Sequence, residues 1–121
     1  MINYNVKGTG VSITDELRGY IEKKLAHIEK FVASDTGAHG DIELQYAEGE
    51  RGKKYRAEFM VMHSGATYRA NERGDTMHEA IDIAIGELTG ELARSKKKRL
   101  HALRRGASIA KDVLRGLRNR F

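Results

Sequence analysis

Cysteine is missing from all 121 residues, so neither a disulfide framework nor a thiolate metal site can form. No run of about 18 apolar residues occurs, which leaves no candidate for a membrane-spanning helix. Strand-like alternation begins at Ile2, which leaves no room for a signal or transit peptide and points to a cytoplasmic chain. Catalytic signatures are missing too. The histidines His27, His39, His63, His78 and His101 show no ligand spacing such as HExxH. There is no GxSxG nucleophile elbow and no phosphate-cradling glycine loop. Asp75 and Glu79 would be neighbours on a helix, but Asp75 reads as its cap. These absences point away from an enzyme, a cofactor, a bound metal and a small-molecule substrate.

What is present is charge, unevenly placed. Residues 1–93 hold 11 Lys and Arg against 16 Asp and Glu, a net of −5, whereas residues 94–121 hold 11 against the single Asp112, a net of +10. A polarised chain of this kind points to an anionic partner, either nucleic acid or membrane. The alternative is a solvated basic tail without a role.

The length suits one domain with a single core. Ile2, Tyr4 and Val6 alternate with polar residues, the period of a half-buried strand. Thr14 then caps a helix whose apolar stripe is Leu17, Ile21, Leu25, Ile28 and Val32, widened by Tyr20 and Phe31. The loop "SDTGAHG" ends it. Three strands follow, with Ile42, Leu44 and Tyr46, then Tyr55, Ala57, Phe59 and Val61, then Tyr68 and Ala70 on the apolar side. The tip "EGERGKK" and a turn at Ser64-Gly65 join them. Asp75 is expected to cap a second helix with Met77, Ile81, Ala84, Ile85, Leu88 and Leu92 inward. That stripe spans roughly 22 Å of helix, about the length of a six- or seven-residue strand. The helix has thus crossed the sheet by Leu92, and the cations begin at Arg94. Arg94, Lys96, Lys97, Lys98 and Arg99 would decorate a rod projecting from the domain. Residues 1–105 are expected to form the α+β domain, and residues 106–121 a basic amphipathic tail or a truncated linker, disordered when free. In the tail, Ile109, Val113, Leu117 and Phe121 recur every four residues among Lys111, Arg115, Arg118 and Arg120.

The expected order is β-α-β-β-β-α: a four-stranded sheet with both helices on one face, similar to a double-stranded-RNA-binding domain. An RNA-recognition motif is excluded, because Tyr4, Tyr46, Tyr55, Phe59 and Tyr68 all fall on the helix-covered face and the open face has no stacking platform. "GAHG" at Gly37–Gly40 matches the KH loop by letter, but a strand follows where KH needs a helix, so it reads as a loop. Double-stranded-RNA-binding domains place lysines at the start of the last helix. Here that start reads "DTMHEA", and the basic surface has moved to the other end. On the first helix Lys23, His27 and Lys30 form one cationic flank at i, i+4 and i+7. Lys24 falls within the apolar arc, where it either snorkels past the core edge or lines a groove between the helices facing an anion.

At this point the chain resembles a known family, the ribosome hibernation-promoting factors, also called ribosome-associated translation inhibitors or protein Y. The resemblance rests on "ITDELRGYIEKKLAHIEKF" (Ile13–Phe31), on "GDTMHEAIDIAIGEL" (Gly74–Leu88) and on the cationic run placed after Leu92. It covers roughly residues 1–100. It implies binding to the small ribosomal subunit and its rRNA, in the channel used by mRNA and tRNA, so that translation is inhibited in stationary phase or stress. By position it implicates Lys24, His27 and Lys30, with Arg94, Lys96, Lys97 and Lys98; charge and spacing add Lys23 and Arg99. The family usually has an Arg-Gln pair where this chain has Gly90-Glu91, and an aromatic where it has His78. The resulting expectation is occlusion without chemistry, in competition with mRNA and tRNA and with no membrane involved. The alternatives are a general RNA-binding or chaperoning module, and a protein whose basic tail docks on anionic membrane or an acidic protein.

Overall fold

In the computed structural model the elements follow the expected order: β1 (Asn3–Thr9), α1 (Asp15–Val32), β2 (His39–Tyr46), β3 (Tyr55–His63), β4 (Ala66–Gly74) and α2 (Met77–Arg118). The structure describes residues 2–33, 37–47 and 52–118, with side chains described as far as 109. Most of the tip at 48–54 therefore lies outside the described residues, as do the tail side chains from Lys111 to Phe121.

The strands lie in the order β1-β2-β3-β4. β1 pairs parallel to β2, so the chain needs a crossover between them, and α1 supplies it. The other two pairings are antiparallel, with Ile42 opposite Phe59, Phe59 opposite Ala70 and Leu44 opposite Ala57. Direct opposition puts these side chains on one face, where they meet the buried stripes of both helices in a single core. Phe59, Leu44, Ile21, Leu25, Ile81, Leu88 and Leu92 are fully enclosed there. The β3–β4 hairpin turns on Ser64 (φ 51°) and Gly65 (φ 76°). Two successive positive φ values match the right-handed strand twist.

Thr14 accepts a hydrogen bond from the Leu17 amide (3.1 Å) and caps α1 as expected. The cap of α2 is not Asp75 but Thr76, whose hydroxyl accepts from the Glu79 amide (3.1 Å). β4 continues to Gly74, leaving only two residues for the turn into the helix, so the capping position moves one along. Gly74 is pinned there, since a Cβ would lie 2.6 Å from the Ala80 nitrogen. The "GAHG" segment is also not wholly a loop: His39 and Gly40 already pair with Asn3 and Tyr4 and with Met62 and Val61.

α2 differs most from expectation. Its backbone is helical through Gly106 to Arg118, past the boundary expected at residue 105. One glycine in a helix interior costs only about 1 kcal/mol, too little to force a break. From Lys96 to Ile109 every residue is exposed, so this part of α2 projects from the domain.

Candidate nucleic-acid interface

The open face of the sheet is polar and internally neutralised. Arg56 donates to Gln45 (2.7 Å), Glu58 (3.0 Å), Asn71 (3.2 Å) and Glu43 (3.3 Å). A shallow hollow beside it, about 270 Å³, is lined by Asp41, Glu43 and Glu58 together with Lys7, Asn5 and Met60. Carboxylates outnumber cations there, which disfavours a polyanion. The tyrosines face the other way: Tyr4 donates to Glu22 on α1 (2.7 Å), and Tyr68 shares a hydrogen bond with Ser95 on α2 (2.6 Å).

On the covered side the two helices are clasped near their N-terminal halves. His78 meets Glu16 at 2.8 Å and stands edge-on to the Tyr20 ring at 4.4 Å. Tyr20 donates to Asp82 (2.5 Å), and Lys24 reaches the same carboxylate at 3.1 Å while lying over the Tyr20 ring. Shared hydrogen bonds set the protonation of this trio. The Tyr20 hydroxyl is raised above 10.0, first by its bond to Asp82 and then by burial. Asp82 is held below its ordinary value, first by the Tyr20 hydrogen bond and then, against opposing desolvation, by Lys24. Lys24 is raised by its bond to Asp82. Lys24 therefore lines the groove between the helices, but the anion it faces is Asp82 of the same chain. That a lysine in an apolar arc would find an aspartate on another helix was not legible from its own helix.

The far end of the helix pair has the opposite character. Lys30 and Lys96, from different helices, both place their ammonium groups over the Phe31 ring, at 5.1 and 5.9 Å from its centroid. Arg99 lies 3.4 Å from the Nε2 of His63, which is buried at the end of β3. Together with Leu100 and Leu103 these residues line a groove of about 280 Å³. Its arrangement is three cations around an aromatic floor, open to solvent. Lys23 and His27 are exposed on α1 and lead toward it. Lys97 and Lys98 are exposed on other sides of the α2 rod.

Arg94 stands apart. Its guanidinium lies over Gly90, 3.3 Å from where a Cβ at that position would be. It also exerts a favourable field on Glu87, whose carboxyl is nonetheless raised, first by a hydrogen bond with Glu72 and then by burial and the charge of Glu72. Of the nine cationic positions expected to form the site, Lys30, Lys96 and Arg99 meet in one groove, whereas Lys24 is paired with Asp82 and Arg94 lies over Gly90. Sequence reasoning missed Phe31 and His63 as groove residues. His63 did carry a signal, as it occupies an inward position in the alternation of β3.

Among the described residues no group of three or more His, Asp or Glu side chains is arranged to hold a metal ion. No helix among them is long and apolar enough to cross a membrane.

The fold defines the class: an α+β domain whose four-stranded sheet is covered on one face by two helices. Residues 4–100 match the family described as Sigma 54 modulation protein / S30EA ribosomal protein, and the chain belongs to that family. It is 23% identical over 97 residues to the ribosome hibernation promotion factor of Bacillus subtilis, a stretch covering 80% of this chain and 50% of that protein. The factor of the same name from Lactococcus lactis is 27% identical over 99 residues, covering 81% and 51%. The chain thus spans about half the length of the curated relatives it matches. Among solved structures, the N-terminal domain of Protein Y from Thermus thermophilus is 32% identical with a TM-score of 0.66, covering 78% of this chain and 98% of that one. A ribosomal subunit interface protein from Coxiella burnetii gives 25% identity and a TM-score of 0.68, covering 79% and 99%.

Proposed function

We propose that this chain is a ribosome hibernation factor that binds the small ribosomal subunit and blocks translation by occupying the channel of mRNA and tRNA. The observation that carries this reading is the groove where Lys30, Lys96 and Arg99 surround Phe31, at the basic end of a domain of this family. Cations from two elements held at one spot can neutralise neighbouring rRNA phosphates without first being gathered there. On the open sheet face the hollow beside Arg56, where carboxylates outnumber cations, disfavours binding the other way round. Lys23, His27, Lys97 and Lys98 extend the contact around the groove. Lys24 acts in this reading through Asp82, by fixing the angle between the helices. Arg94, whose guanidinium lies over Gly90, reaches a phosphate from the position where the family's arginine usually stands. The likeness to double-stranded-RNA-binding domains then lies in element order, with the RNA-contacting end of the last helix exchanged. Residues 1–105 are the ribosome-binding unit, acting in the cytoplasm in stationary phase or stress.

The test is co-sedimentation with purified small subunits in excess unrelated RNA, followed by challenge with mRNA and initiator tRNA. Binding that survives the competitor and is displaced by the challenge supports occlusion. The second reading, a general RNA-binding or chaperoning module, is favoured by Lys97 and Lys98 pointing away from the groove. Loss of all binding to the unrelated competitor would establish it and sink the first.

A further inference from the structure

Beyond the family match, which ends at residue 100, α2 continues as a helix on which every described side chain, as far as Ile109, is exposed. Leu100 is 45% and Leu103 70% exposed, although the ordinary fate of leucine in a folded domain is burial. Leu103 stands eleven residues past Leu92, about three turns, and so on the same side of the helix as the buried stripe. The core-facing side of α2 thus runs on past the edge of the sheet, beyond the groove that Leu100 and Leu103 share with Phe31 and His63. Arg99, Ala102, Leu103, Gly106 and Ala107 form a mainly apolar surface strip on this stretch. In the sequence the spacing 100, 103, 107 continues at Ala110, Leu114 and Leu117, alternating steps of three and four residues, which is the heptad seam of a coiled coil. Ile109 stands off this seam.

The flanks of the seam decide the occupant. Arg99 lies on one side, Lys97 and Arg104 on the other, all exposed. The sequence adds Lys111 and Arg118 at the same heptad position as Arg104, and its one carboxylate, Asp112, is at neither the seam nor the flanking positions of the repeat. A second copy of this chain would set cation against cation in either orientation, so self-pairing is opposed. A lipid surface calls for a broad apolar face of large side chains. This seam is narrow and turns small at Ala107, next to Gly106, which suits the close approach of another helix. RNA has no use for exposed leucines at alternating spacing.

We infer that the projecting part of α2 is a docking strip for an amphipathic helix of another protein, with apolar residues along its seam and acidic residues on its flanks. The strip adjoins the groove around Phe31 and shares Arg99, Leu100 and Leu103 with it, while Gly106 and Ala107 lie beyond the groove. A protein bound there would be held beside the ribosome-binding unit without covering Lys23 or His27.

The test uses the full chain and a synthetic 28-residue helix peptide with Leu at both seam positions and Glu on both flanks. A second peptide carries Lys on the flanks. The acidic peptide is expected to bind, the lysine peptide not, with the double variant Leu103→Gln/Ala107→Gln weakening binding about tenfold or more. Equal binding of the acidic peptide to the double variant would mean charge attraction alone and overturn the proposal. So would no binding at all, or a concentration-dependent dimer of the full chain that the double variant abolishes. Flotation with anionic vesicles that depends on Leu103 would overturn it in favour of a membrane. Ala107→Gln alone, outside the cationic groove, leaves co-sedimentation with small subunits unchanged. Failure here is therefore distinguishable from failure of the ribosomal reading.

Discussion

Replacing Lys96, Lys97 and Lys98 together by Ala separates the charge of the rod from the stability of the fold. All three side chains are exposed, and the last fully buried residue of α2 is Leu92. Their one recorded tertiary contact among the described residues is that of Lys96 with Phe31 at 5.9 Å. A cation–π contact at an exposed site contributes about 0.5–1 kcal/mol. Alanine is a better helix former than lysine by a few tenths of a kcal/mol at each position, which offsets much of that loss. Stability should therefore change by less than about 0.5 kcal/mol, and the melting temperature by about 2 °C or less. RNA binding should change far more. Each lost phosphate contact lowers the slope of log K against log salt by roughly 0.7–0.9, so three contacts remove about 2–3. Between 50 and 200 mM salt the variant should accordingly lose roughly 20–40-fold less affinity than the parent. Binding to small subunits across a salt series reads the slope, and thermal unfolding checks the fold. An unchanged slope would refute the idea that these cations face phosphate, and a large fall in melting temperature would show that the rod is part of the fold.

Other substitutions probe the remaining parts. Leu92→Ala, at a fully buried position, should cost about 2–5 kcal/mol in denaturant unfolding while leaving the salt slope intact. Asp82→Asn should flatten the acid limb of the stability profile. Asp82 has a folded pKa below its ordinary 3.8, so its contribution is full above that value and lost as pH falls through the lowered one. Glu87→Gln should stabilise the protein near pH 7 and have no effect well below pH 4.5. The folded pKa of Glu87 is raised above that value, so the folded state binds the extra proton and loses stability as pH rises. Thermal unfolding across pH reads both, and a profile unaltered by either substitution would contradict the assigned pairings.

The order of the elements was legible because two periods are cleanly separated in this chain. Strands alternate by two, as in Tyr55, Ala57, Phe59 and Val61, and helices repeat by three and four, as in Leu17, Ile21, Leu25 and Ile28. The Ser64-Gly65 turn and the Thr14 cap are local in the same sense. The cap of α2 was misplaced by one residue because Asp75 and Thr76 are both good caps, and only the length of β4 chooses between them. The candidate site was legible as a set of charges but not as an arrangement. Whether Lys24 meets Asp82 or solvent, and whether Lys30 and Lys96 share the Phe31 ring, depends on how α1 lies against α2. No single-helix pattern contains that angle.

The absence of cysteine gives direct access to the central claim. One cysteine at Ala102, exposed beside the groove, and another at Thr67, exposed on the open sheet face, can each carry an iron chelate for directed hydroxyl-radical cleavage of rRNA. With small subunits bound, position 102 should cut rRNA lining the channel of mRNA and tRNA, and cut it more strongly than position 67. Cuts spread without preference over the subunit, or strongest from position 67, would contradict a basic helix end seated in that channel.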